Sequence, residues 1–292
     1  MNRQLSSCLA LIGAGLSGEV SAHTLWINLV PAREDRQVVV SIGYGDHLPG
    51  SELLSTDWGQ MKVARYEVVA PNGQRSALTP PEPVSHDKQS LPSGLVVQRG
   101  GETGSHRLQY PPGSTSGTYQ VTAQSELFRY IHYRDTRGQD RYTDRALEEL
   151  DDVEQVLDTS FEIFFMKTAF AVGGWTDPAP AGQHLEIVPL TDLSNVRSGD
   201  VVRFKVLLDG GAWDASLGSP QISAHSAAFG DRWGLVSALK YGEGELRLPS
   251  AGMWRIEARL QGKARDFSKL AANAEGDAPI YVESTFVLHV QP

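Results

Sequence analysis

Asp200-Val201-Val202-Arg203-Phe204-Lys205-Val206-Leu207-Leu208 runs directly into Asp209-Gly210-Gly211. Apolar side chains fall on every second position from Val202 to Val206, which is the period of a strand with one buried face. Asp-Gly then supplies the two left-handed positions of a tight hairpin turn. The same grammar recurs on both sides of this stretch. Val38-Val39-Val40-Ser41-Ile42-Gly43-Tyr44, Val63 to Ala70 before Pro71-Asn72-Gly73, Gly117 to Ala123, Trp254 to Leu260 and Tyr281 to Val290 all read as short strands bounded by turn residues. Strands at this spacing predict an all-β protein of two immunoglobulin-like β-sandwich domains. Phe161 to Ala171 is a further strand. Just before it, Leu147, Leu150, Val153 and Leu157 recur at helical spacing, with Thr143 or Asp144 as an N-cap. This predicts a short helical insertion in the first domain. Its other face carries Glu148, Glu149, Asp151, Asp152 and Glu154, read as a solvated face rather than a metal site.

Gly173 to Gly182, rich in Gly, Pro and Ala, is the candidate linker. The expected organisation is therefore a signal peptide over 1–22, an N-terminal sandwich over 23–172, a linker over 173–182 and a C-terminal sandwich over 183–292. In the leader, Arg3 precedes an apolar run from Cys8 to Leu16, and Val20 and Ala22 suit a signal peptidase that cuts after Ala22. The expected location is the periplasm.

The chain has 292 residues and a net charge of −9, which disfavours nucleic acid as a partner. Its one cysteine, Cys8, lies in the expected leader, so disulfides, thiolate metal sites and cysteine nucleophiles drop out of the mature protein. No Gly-x-Ser-x-Gly elbow, phosphate loop or dinucleotide fingerprint is present, and no catalytic residue is assigned.

Cleavage after Ala22 makes His23 the first mature residue. Its α-amino group and imidazole Nδ1 then close one chelate ring on a metal, and an amine of pKa about 7.7–8 gives up its proton to a metal near neutrality. The plainer alternative is that His23 merely begins a strand. His47 lies in Gly45-Asp46-His47-Leu48-Pro49-Gly50, a loop shaped to aim an imidazole, with Asp46 as a ligand or as an orienting partner. His225, among small residues, is placed to approach from the second domain. His132 is either a ligand or a core histidine, His289 a strand residue, and His86, His106 and His184 loop residues. Two imidazoles and an amine suit nickel, cobalt, copper or zinc, and the affinity series does not choose among them.

His23-Thr24-Leu25-Trp26, Gly43 to Gly50, Gln183 to Pro189 through Leu207-Leu208-Asp209-Gly210-Gly211, and Gly252-Met253-Trp254-Arg255-Ile256 together resemble the DUF4198 family. That family is related to NikM/NikK-like periplasmic components of nickel and cobalt uptake. The resemblance implies an exported β-sandwich protein that handles a divalent transition metal. The family's leading histidine corresponds to His23 and its glycine-loop histidine to His47. The sequence departs from the membrane subunits of such systems in having no transmembrane helices. The expected function is binding of nickel or cobalt as an accessory to uptake, without enzymatic activity. The expected partners are the metal ion and a membrane or TonB-dependent metal transporter. Two alternatives stand beside it: a copper-binding histidine-brace protein, for copper handling or as an oxygenase, and a metal-free secreted binding module.

Overall fold

The computed structural model describes residues 23–31, 36–56, 59–82, 87–93, 95–99, 103–213, 218, 220–229, 233–271 and 276–292. The expected leader and His86 lie outside the described residues. Eleven strands carry the architecture: β1 (Thr24–Pro31), β2 (Gln37–Gly45), β3 (Val63–Val69), β4 (Gly117–Ser125), β5 (Phe128–Asp135) and β6 (Val153–Val172). They continue with β7 (Leu185–Pro189), β8 (Val201–Leu208), β9 (Gln221–Ser226), β10 (Gly252–Lys263) and β11 (Pro279–Val290).

A ten-stranded sheet forms the middle layer. Its path runs from Leu235–Ala238 through β9, β10, β11, β6, β4 and β3 to Arg75–Ala77; off that path β5 pairs with β6, and Asp140–Thr143 pairs with β5. β11 lies parallel to β6, with Phe161 opposite Ile280 and Thr168 opposite Val287. Strands from both sides of residues 173–182 thus belong to one sheet. A three-stranded sheet, β1–β2 with His106–Gln109, covers one face, and a four-stranded sheet built on β7 and β8 covers the other.

The alternation along β6 explains how one sheet serves two cores. Side chains of a strand leave on opposite faces in turn. Phe161, Ile163 and Phe165 pack with Leu185, Ile187, Val202, Phe204 and Val206 of β7 and β8. Phe164 and Met166, one step out of phase, pack with Leu25, Ile27, Val40 and Ile42 of β1 and β2. Covered on both sides, Phe161 to Thr168 is buried without interruption. The hairpin from β8 forms as its sequence predicts. Leu208 pairs with Gly211 across a two-residue turn in which Asp209 and Gly210 both have positive φ, 51° and 79°.

The all-β sandwich architecture is present; the helical insertion is not. Leu147–Glu149 makes a single 3-10 turn, and Val153 and Leu157 belong to β6. Two physical reasons account for this. A helix this short is marginal without a packing face, whereas Glu154 to Asp158 meets a ready ladder, because β5 pairs with it from Val153 onward. The Thr143 hydroxyl, one of the two expected N-caps, accepts a bond from the Arg145 amide at 3.1 Å in a local turn instead. The acidic residues 148–154 therefore share no helix face.

Candidate metal-binding site

Antiparallel pairing of β1 and β2 sets Thr24 opposite Gly45, which brings His23 beside Asp46 at the next step. His23 Nε2 lies 3.6 Å from Asp46 Oδ2, and the imidazole packs edge-on against Tyr44 with ring centroids 5.4 Å apart. Beyond Gly45 the loop folds back on itself. The amides of Ser51 and Glu52 both donate to the Tyr44 carbonyl at 3.1 Å, and the Ser51 hydroxyl accepts from the amides of Asp46 at 3.1 Å and His47 at 3.4 Å. His47 is exposed at the tip of this loop.

Trp26 clamps the loop from behind. Its indole N–H donates to Asn28 Oδ1 at 2.8 Å, and Asn28 Nδ2 donates to the Pro49 carbonyl at 2.7 Å. Leu48 packs with Trp26 and Val287 of β11. Gly43 is required here, because a Cβ at that position would stand 2.3 Å from the indole nitrogen and 2.6 Å from the Pro49 carbonyl.

Under the loop, the middle sheet presents a polar floor. Arg255 stacks over Trp26 at 4.4 Å, pairs with Glu257, and points Nη2 at the Asp46 carbonyl at 3.5 Å. His225 sits opposite Arg255 in the β9–β10 ladder, and its Nε2 is 3.6 Å from Glu257 Oε2. Gly234 covers the His225 ring closely, since a Cβ there would lie 2.7 Å from the ring's Cε1. Further along, the Thr24 hydroxyl donates to Glu283, and Arg259 approaches Glu283 at 3.6 Å. Burial first, and the Glu257 carboxylate second, push the Glu283 carboxyl up; Arg259, the Thr24 hydroxyl and Arg255 pull it back. Glu162, on the same face, is pushed up to about 7 by burial against the pull of Arg259.

His23 and Asp46 are thus in contact, and Arg255 joins the Asp46 backbone to the strand pair that carries His225. Among the described residues no group of three His, Cys, Asp or Glu side chains is gathered to hold a metal ion. The other described histidines are placed elsewhere. His106 bonds the Thr79 carbonyl at 2.8 Å, His132 stacks on Tyr142 at 4.4 Å, and His289 is exposed on β11. Sequence reasoning missed Arg255, Glu257 and Glu283. Their alternation with Trp254, Ile256 and Ala258, or with Val282 and Ser284, was the available signal, but a charged strand face ordinarily means solvent.

A family model described as a domain of unknown function (DUF4198) matches residues 20–262 of the chain. None of the curated proteins matches it. A solved structure of the chicken CNTN1 FN1-FN3 domains aligns over 91% of this chain and 98% of that chain, at 11% identity and a TM-score of 0.22.

Proposed function

The chain belongs to the DUF4198 family, and from that premise we propose that it is a periplasmic carrier of a divalent transition metal, nickel or cobalt, serving as an accessory to uptake. His23 and His47 bind the cargo, with Asp46 and His225 in support. The observation that carries this reading is which nitrogen of His23 meets Asp46. Nε2 is the one turned to the carboxylate, at 3.6 Å. A carboxylate beside Nε2 favours the tautomer with the proton there and leaves the lone pair on Nδ1. Nδ1 is the nitrogen that closes a chelate ring with the α-amino group of a chain beginning at His23. The clamped loop of residues 46–51 fixes the backbone that carries His47 two residues beyond the end of β2, and this side chain is assigned as the second imidazole. Arg255 ties this loop to β10 and keeps the loop and His225 on one rigid floor.

Calorimetric titration with Ni²⁺ and Co²⁺ of protein beginning at His23 tests the reading. Tight binding is expected, with a large loss when one glycine precedes His23 or when His47→Ala removes the second imidazole. Asp46→Asn should weaken binding by about 10- to 100-fold, as loss of a partner behind a ligating histidine does. If the extension and His47→Ala both leave the affinity unchanged, the proposed site is wrong.

A further inference from the structure

On the face of the middle sheet opposite β1 lies a cleft of about 400 Å³, within the size range of small-molecule sites. Arg65, Phe165, Gln183, His184, Asp209 and Leu270 border it. His184 is about nine-tenths buried and gripped twice by the hairpin turn after β8. Its Nδ1 lies 2.6 Å from Asp209 Oδ1, and its carbonyl accepts from the Asp209 amide at 2.8 Å. A carboxylate accepts and does not donate, so the proton of this contact sits on Nδ1 and neutral His184 carries its lone pair on Nε2. That Nε2 is buried with no hydrogen-bond partner among the described residues.

Gln183 repeats the pattern. Its amide nitrogen donates to the carbonyls of Ala123 and Met166, each at 3.1 Å, which identifies the remaining atom as the oxygen. That oxygen too is buried without a partner among the described residues. Two neighbouring side chains on one cleft thus each hold a desolvated acceptor, an arrangement that is unfavourable until a donor arrives. At the rim stands a donor of the opposite kind. Arg65 is half-exposed, and the carboxylate it meets among the described residues, Glu67 at 3.8 Å, is already engaged more closely by Arg75. Phe165 and Leu270 supply apolar wall.

We propose that this cleft binds a small zwitterion of the α-amino acid class. The ammonium group donates to Gln183 Oε1 and His184 Nε2, and the carboxylate pairs with Arg65. The side-chain adjustments needed to present the two acceptors are of the kind that binding commonly brings. The site uses none of the groups assigned to the metal and stands or falls separately.

The test is calorimetric titration of metal-free wild-type protein with glycine, alanine and leucine, each against its N-acetyl and its carboxamide form, with imidazole ¹⁵N spectra of His184 recorded alongside. The free amino acids should bind, and each blocked form should bind about tenfold or more weakly, as expected for loss of a charge-assisted hydrogen bond. Arg65→Met, at a half-exposed position that does not threaten folding, should weaken the free amino acid by a similar factor and leave the carboxamide unchanged. The His184 Nε2 resonance should move while Nδ1 stays protonated. A glycine ahead of His23 should leave all of this untouched. No heat and no Nε2 shift at high millimolar amino acid would overturn the proposal, as would equal affinity for the acetylated forms.

Discussion

Glu162 has a carboxyl held near pH 7 because it is buried beside Tyr44 and Tyr130, with only Arg259 to favour its charge. The linkage runs in one direction. The folded state keeps this proton up to about 7, and the unfolded chain releases it near the ordinary 4.5. Stability contributed by the protonated form is therefore complete below about 4.5 and is lost as the pH rises to about 7, a span worth about 3 kcal/mol. Glu162→Gln should flatten the decline in denaturant stability between those limits relative to wild type, and leave the variant the more stable protein above pH 7. Parallel pH profiles for the two proteins would show that Glu162 does not hold this proton.

At the scale of elements, β6 is where the fold is most exposed to a single change. Lys167 lies in its buried middle, fully enclosed, with its ammonium 2.5 Å from Glu186 of β7. Burial lowers the Lys167 pKa and Glu186 opposes that shift. Glu186 also accepts the amides of Ala181 at 2.6 Å, Gly182 at 2.9 Å and Gln183 at 3.3 Å. One ion pair therefore pins the segment after residue 173 onto the middle sheet and sets Gln183 and His184 at the cleft. Lys167→Met should destabilise the protein by about 3–5 kcal/mol, because it strands a buried carboxylate, and pairing it with Glu186→Gln should recover part of that loss. Urea unfolding reads both. A single variant within 1 kcal/mol of wild type would mean that the pair contributes little.

At the scale of the whole molecule, the two cores lie back to back on one sheet. Val287 of β11 joins Trp26 and Leu48, and Thr285 donates to the Leu25 carbonyl at 2.8 Å, so the last strand also completes the floor under the first. A fragment of residues 23–172 would bare Phe161, Ile163 and Phe165 along with the parallel edge of β6. It should bind a hydrophobic dye and show no cooperative thermal transition, while the intact chain unfolds in one. A fragment that melts cooperatively with native-like tryptophan fluorescence would separate the two cores energetically.

The period-2 patterns of β2, β4, β8 and β10, and the Asp209-Gly210 turn, were legible from sequence alone because they are local: side-chain alternation and a left-handed backbone preference need no distant partner. The nearness of His23 to Asp46 follows for the same reason, since β1 and β2 are consecutive strands that pair end to end. The segment 147–157 misled because its apolar spacing suits a helix, and the decision passed to β5, whose ladder lies outside the window in which periodicity is read. Strand order, the parallel seating of β11 on β6, the burial of Lys167, Arg255 and Glu283, and the His184 cleft were decided by tertiary structure. Each depends on residues more than a dozen positions apart being brought face to face, and a charged side chain on an alternating strand looks the same in sequence whether water or another sheet lies over it.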